Sequence, residues 1–106
     1  MPEEKKIKEF AVERASFYPT LKSAATHLRQ AKCTLTAQRL IISGGKGGIH
    51  QMSLGNISGL TTPYKLNAKT LRISLPGQMY ELSCNDRDHK KTIEQWLSDA
   101  ISGSFG

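Results

Sequence analysis

Cys33-Thr34-Leu35-Thr36-Ala37-Gln38-Arg39-Leu40-Ile41-Ile42-Ser43 reads as a strand, a tight polar turn and a second strand. Ala31, Cys33 and Leu35 alternate with Lys32, Thr34 and Thr36, which gives the first strand one apolar and one wet face. Arg39-Leu40-Ile41-Ile42 supplies a β-branched return.

The same alternation extends outward from this hairpin. Phe10 and Val12 begin a strand over roughly 10–18, closed by Phe17-Tyr18 ahead of Pro19. Residues 1–9, rich in Glu and Lys, are expected to form a charged N-terminal arm or a short helix. Thr20 to Thr26 reads as a connection, although Leu21, Ala24, Ala25 and Leu28 are also spaced for one helical turn. Gly44-Gly45-Lys46-Gly47-Gly48 loses too much backbone entropy on ordering to sit inside a strand or helix, and is read as a hairpin tip.

Ile49 to Leu54 and Asn56 to Thr61 look like two short strands broken at Gly55. Leu71, Ile73 and Leu75 alternate on one side of the Pro76-Gly77-Gln78 turn, and Tyr80, Leu82 and Cys84 on the other, as a further hairpin. Asn85 or Asp86 then caps a helix from about 86 to 102, with Asp88 in the first turn where the dipole favours negative charge. His89, Ile93, Trp96, Leu97, Ala100 and Ile101 form one apolar stripe, and Gly103 ends the helix. In this stripe Trp96 is expected to be a largely buried plug rather than a binding platform.

A chain of 106 residues is the size of one domain. Its 38% hydrophobic content with nine glycines is ordinary for a globular protein and argues against disorder. No run approaches the ~18 apolar residues of a membrane span, and Met1-Pro2-Glu3-Glu4-Lys5-Lys6 opens with charge where a signal peptide has an apolar core. A cytoplasmic protein is expected. Cys33 and Cys84 share apolar strand faces and lack the clustered spacing of a zinc or redox site, so they read as buried free thiols. The net charge of +6 favours anionic partners: phospholipid headgroups, nucleic acid or acidic protein patches.

His27, His50 and His89 lie far apart without carboxylate or cysteine spacing, so no metal site or cofactor is expected. Asn56-Ile57-Ser58 matches a glycosylation acceptor, which matters only in a secreted chain. The glycine-rich 44–48 segment lacks the Ser or Thr and the helix start that a phosphate-binding loop needs after Gly-Lys. With no local nucleophile–base pair or close carboxylates, an enzyme is not expected.

The pattern Leu35-Thr36-x-x-Arg39-Leu40-Ile41-Ile42 resembles the hairpin of the GRAM and bacterial pleckstrin-homology (PH-like) families, in which a Leu-Thr pair closes one strand and an Arg-Leu pair opens the next. Ser53-Leu54-Gly55-Asn56-Ile57 is similar to the Leu-x-x-Ile strand opening of those families, and the C-terminal helix with its Trp matches theirs. The ubiquitin-binding GLUE branch carries a similar hairpin. The resemblance covers residues 10–102 and leaves 103–106 as a tail. It implies a mainly β fold, a PH-like barrel of about seven antiparallel strands in two nearly orthogonal sheets, capped by one C-terminal helix. An OB-type barrel is the alternative architecture.

The function this implies is a non-catalytic PH-like adaptor mediating protein–protein interaction, at a sheet edge or in the groove beside the helix. The alternative is peripheral binding to anionic phospholipid headgroups. Consecutive hairpins place the first and third connections at the same end of the sheet, gathering Lys22 and Lys46 with Arg29 into a basic rim. Nucleic acid is the weakest partner, since Phe17, Tyr18 and Tyr64 are too scattered for a stacking platform.

Overall fold

The computed structural model describes residues 6–20, 24–44, 48–64, 66 and 68–103. Seven strands and one helix follow in chain order: β1 Lys6–Tyr18, β2 Thr26–Thr36, β3 Arg39–Ser43, β4 Ile49–Ser53, β5 Gly59–Thr61, β6 Thr70–Leu75, β7 Gln78–Ser83 and α1 Arg87–Ile101. All pairings are antiparallel, in the order β4-β3-β2-β1-β7-β6-β5. This is the mainly β, helix-capped architecture expected from the sequence. The two expected sheets are halves of one continuous ladder, because β1 pairs with β2 along most of its length and also with β7 over Arg14–Tyr18.

The β2–β3 hairpin owes its geometry to Thr36. Its hydroxyl accepts from the backbone N–H groups of Gln38 at 3.1 Å and Arg39 at 3.0 Å, so the side chain stands in for the backbone of a tight turn. Gln38 O then accepts from Leu54 N at 3.0 Å, tying the turn to a 3-10 turn at Leu54–Asn56. That turn replaces the start of the strand expected from Asn56, leaving β5 only three residues long. Gly44 lies close to β2: a Cβ there would press on Ala31 Cα at 3.2 Å, so any side chain would need the backbone to give by a few tenths of an ångström. Gly77 supplies the left-handed residue of the β6–β7 turn, at φ 73°.

Three expectations are corrected. Residues 6–9 belong to β1 rather than to an arm, since Lys8 and Glu9 pair with Leu35 and Thr34, and Glu9 bridges Lys6 and Lys32 on the wet face. Two lysines beside it draw the Glu9 carboxyl down to about 2. Of the two readings of 20–28 the connection holds at Ala24 and Ala25 and the alternative helical turn does not, since strand begins at Thr26 and includes Leu28; Leu21 lies outside the described residues.

The third correction concerns α1. Its buried face is Lys90, Ile93, Leu97 and Ala100, while Trp96 is half-buried at the flank and Ile101 is 40% exposed. Trp96 packs on Phe10 at 5.7 Å between ring centroids, and the Lys8 ammonium sits 5.2 Å over its ring. Lys90 joins the buried face because its stem is apolar and its ammonium reaches Thr62 Oγ1 at 2.8 Å and Glu94 Oε1 at 3.1 Å. Asp86 caps α1 through His89 N at 2.7 Å, and Gly103 at φ 79° closes its C-terminus.

The core between sheet and helix contains Leu35, Leu40, Ile42, Leu71, Ile73, Leu82, Ile93 and Leu97 with essentially no exposure. Each such side chain contributes about 1.5–3 kcal/mol by leaving water. Cys33 and Cys84 are buried free thiols, as the sequence indicated. Burial pushes their ionisation up to about 12 and about 11 respectively.

Candidate functional site

The site begins with a break in strand alternation. Phe10 and Val12 face the core from β1, and so does Ala15; Ala31, Cys33 and Leu35 face it from β2, and so does Leu28. Each strand therefore shifts phase by one residue, between Val12 and Ala15 and between Leu28 and Ala31. In β2 the shift coincides with Gln30, a non-glycine residue in the left-handed region at φ 49°. Strict alternation from Val12 and Ala31 would aim Arg14 and Arg29 at the core. The shift turns both outward, where they sit directly opposite each other across the β1–β2 ladder.

Arg14 is also opposite Ser83 on β7, and Ser83 is opposite Thr70 on β6. The row Arg29–Arg14–Ser83–Thr70 thus crosses four strands on the outer face. The next row is His27–Ser16–Glu81–Arg72. Glu81 is buried and closely partnered: Arg72 donates to Oε2 through Nε at 3.1 Å and Nη2 at 2.8 Å, Tyr64 donates at 3.2 Å and Tyr18 at 3.4 Å. The Glu81 carboxylate raises the Arg72 ionisation further, while burial followed by the Glu81 charge raises that of the Tyr18 phenol.

Over these rows lies a cleft of about 530 Å³, lined by Glu13, Arg14, Arg29, Lys69, Thr70, Glu81 and Ser83 together with Tyr18, Tyr64 and Cys84. Arg72 takes the Glu81 charge, and Arg14, Arg29 and Glu13 are further charged groups in the lining. Among the described residues, neither Arg14 nor Arg29 lies within ion-pair distance of a carboxylate. Two like charges directly opposite in a ladder are unfavourable unless an anion lies between them.

A second groove of about 400 Å³ runs between β5 and the C-terminal half of α1. Ile57, Leu60 and Ile101 give it apolar floor and wall, and Ser58, Ser98 and Ser102 a polar rim. β5 ends the sheet, and its outer edge has no strand partner among the described residues.

The end of the barrel that receives the β1–β2 and β3–β4 connections is filled by rings. Phe17 stacks on Tyr80 at 4.7 Å and packs on His50 at 4.9 Å, and the Tyr80 hydroxyl lies 3.4 Å from His50 Nδ1. Of the expected basic rim, Arg29 is exposed on the outer face of β2; Lys22 and Lys46 fall outside the described residues. Sequence reading missed Arg14, Lys69 and Glu81. The three-residue gaps Val12-to-Ala15 and Leu28-to-Ala31 were the available signal for the arginines. Among the described residues no cluster of His, Cys, Asp or Glu could hold a metal ion. No helix among them is long and apolar enough to cross a membrane.

No family model matches the chain, and no curated protein matches it. Solved structures do match nearly all of it. The DH/PH fragment of PDZRHOGEF, crystallised with human RhoA, has a TM-score of 0.70 at 16% identity, over 94% of this chain and 29% of the matched one. The DH/PH domain of human ARHGEF11, in a ternary complex with human RhoA and its inhibitor, gives 0.68 at 15% identity, over 94% and 30%. The linker-DH/PH domains of p115-RhoGEF, N-terminally truncated, give 0.68 at 13%, over 95% and 30%. The fold is therefore PH-like, and the chain spans under a third of the length of these neighbours.

Proposed function

We propose that the chain is a non-catalytic PH-like interaction module that takes an extended segment of a protein partner in the groove between β5 and α1. The observation that carries this is the terminal strand β5, whose outer edge has no strand partner among the described residues and which shares a groove with Ile101, Ser98 and Glu94 of α1. An added strand would satisfy that edge by main-chain hydrogen bonds, and its alternate side chains would reach Leu60 and Ile101. Glu94 in the wall is engaged by Lys90, which favours an uncharged segment with alternating apolar and hydroxyl residues. The neighbouring DH/PH structures, crystallised with RhoA, support a protein partner. Within the PH-like fold, the Leu35-Thr36-x-x-Arg39-Leu40 hairpin supports the GRAM branch.

The non-catalytic part of the proposal rests on the one serine–histidine contact described. Ser16 Oγ lies 2.8 Å from His27 Nδ1, but Ser16 is 3% exposed, leaving no room for an acyl group above it. The test is selection of displayed peptides against the chain, followed by amide-shift mapping. Shifts at Gly59–Thr61, Ser98 and Ile101, abolished by Ser98→Arg, are expected; a footprint elsewhere refutes the reading.

A second reading, peripheral binding to anionic phospholipid through Lys22, Arg29 and Lys46, is supported by the net charge of +6 and by the exposure of Arg29, which has no carboxylate partner among the described residues. Its test is co-sedimentation with acidic vesicles over a salt series. Binding should fade as salt shortens the ~8 Å Debye length and disappear in a Lys22→Glu, Lys46→Glu variant.

A further inference from the structure

We propose that β4 is a self-association edge, on which a second copy of this chain adds its own β4 antiparallel about a two-fold axis at Gln51. β4 stands at the opposite end of the strand order from β5, so neither this inference nor its test depends on the peptide reading.

An open strand edge is a template for another chain, and charge, shortness or a covering element is what guards it. The long overhangs of the inner strands are guarded by charge: β1 carries Lys6, Lys8, Glu9 and Glu13 ahead of its pairing with β7, and β2 carries Arg29 ahead of its pairing with β3. The terminal strand β5 is three residues long and shares its groove with α1. The other terminal strand has none of these devices. Ile49-His50-Gln51-Met52-Ser53 contains no Lys, Arg, Asp, Glu or Pro, and it pairs with β3 in unbroken register. Its outer edge has no strand partner among the described residues, and Ile49 is 68% exposed.

The residues of this edge fit a copy of themselves. Ile49, Gln51 and Ser53 are exposed, whereas Met52 between them is buried. Pairing that joins two sheets on the same face must set exposed residues opposite exposed residues, and a slip of one residue turns the added copy over. A two-fold axis at Gln51 meets this condition and engages all five residues. Gln51 then faces itself, and His50 of each copy faces Met52 of the other. The Gln51 Oε1 accepts from Arg39 Nη1 at 2.9 Å, which steadies the amide on the strand. Its NH2 group has no acceptor among the described residues, and across the axis it can donate to the second lone pair of the other copy's Oε1. Ile49 lies opposite Ser53 of the other copy, in the same row as the apolar stem of that copy's Arg39. The edge is neutral on both sides, so two chains of net charge +6 meet there without opposing like charges.

A ribbon of this length buries well under the ~1,000 Å² of a lasting interface, so the dimer is reversible and concentration-dependent. The experiment is sedimentation velocity of the full chain from about 10 μM to about 1 mM, the range of weak dissociation constants, with amide hydrogen exchange followed at both ends. The sedimentation coefficient should rise toward that of a dimer, and exchange in Ile49–Ser53 should slow as concentration rises. Ile49→Lys sets a charge beside Arg39 of the other copy and should weaken dimerisation about tenfold. The position is exposed, and a wild-type spread of amide shifts will show that the variant is folded.

Gln51→Cys tests the register. Opposed Cα atoms ~4.5–5.5 Å apart are within disulfide reach, so with oxidised glutathione taking the two electrons this variant should form a covalent dimer. Cys33 and Cys84 are buried and give no background. Ile49→Cys should not link, since its two thiols lie about 13 Å apart along the strands. A dimer weakened by Ile49→Lys and linked through Gln51→Cys supports the proposal. A monomer at every concentration overturns it, and so does a dimer that Ile49→Lys leaves unchanged, which belongs to another surface. Linkage of Ile49→Cys in preference to Gln51→Cys overturns the two-fold at Gln51.

Discussion

From β7, Tyr80 and Leu82 turn inward to Phe17, Ile93 and Leu97, whereas Glu81 and Ser83, their immediate neighbours, turn outward to Arg72, Tyr64, Tyr18 and Arg14. The inner face is built chiefly of apolar side chains, which are stabilised by leaving water, with Lys90 admitted by its partners Thr62 and Glu94. The outer face splits in two. Around Glu81 the charges are matched and the buried carboxylate accepts from Tyr64; one row away, Arg14 and Arg29 stand opposite each other with no carboxylate partner among the described residues. The matched half is architecture. The unmatched half is where a ligand has something to gain by binding.

The largest expected effect probes the inner face through its two thiols. Both ionise in the folded protein only near pH 11–12, against about 9 when exposed, so the folded state holds protons that the unfolded state releases. Their contribution is complete below about pH 9 and is lost as pH rises toward 11–12. Stability should fall by up to about 1.4 kcal/mol per thiol per pH unit in that window. Alkaline denaturant titrations of the wild type and of Cys33→Ala, Cys84→Ala measure this; equal alkaline slopes for both proteins contradict the assignment. Native thiol labelling at neutral pH should be slow in the wild type for the same reason.

Next comes the matched half of the outer face. Glu81→Gln leaves Arg72 without its countercharge in a partly buried position, at a cost of about 2 kcal/mol. Much of that should return when Arg72→Gln is added, and a double-mutant cycle with no coupling would show that the pair is not a unit. Smaller is the effect at Gln30, where glycine adopts the left-handed conformation without steric cost. Gln30→Gly should stabilise by up to about 1 kcal/mol, and Gln30→Val should destabilise by more. Loss of stability in the glycine variant would mean that the side chain, not the backbone, sets the phase.

The smallest effect is at the unmatched half. Arg14→Gln should change stability by less than about 0.5 kcal/mol, and at low salt the change should be a gain, because a like-charge pair is removed. A clear loss in thermal midpoint would assign Arg14 a structural partner and weaken the contrast between the halves.

The parts legible from sequence were those whose cause is local. Thr36 closes its turn with donors two and three residues away, and Asp86 caps through an N–H three residues away. The apolar residues of α1 recur at helical spacing, and only Lys90 escaped, because its buried stem carries a charge whose partners include Thr62, 28 residues back. The outer-face site was illegible for a related reason. Glu81 is satisfied by Tyr18, Tyr64 and Arg72, which lie 63, 17 and 9 residues away and converge only once β1, β6 and β7 are in register. Arg14 and Arg29 carry the same residue chemistry as any surface arginine until Gln30 and the pairing of β1 with β2 place them face to face.

The placement of β1 between β2 and β7 also has a consequence in time. The strand is synthesised first, and β2 follows within a few residues, but its second neighbour starts at Gln78 and the covering helix at Arg87. At ~5–20 residues per second, several seconds pass in which β1 to β4 can pair while their apolar faces lack a lid. Phe10, Val12, Leu35 and Leu40 stay uncovered until almost the last turn of α1 emerges. Closure of this fold therefore waits for β7 and α1, and until they emerge β1 presents an open edge on the side that β7 will take.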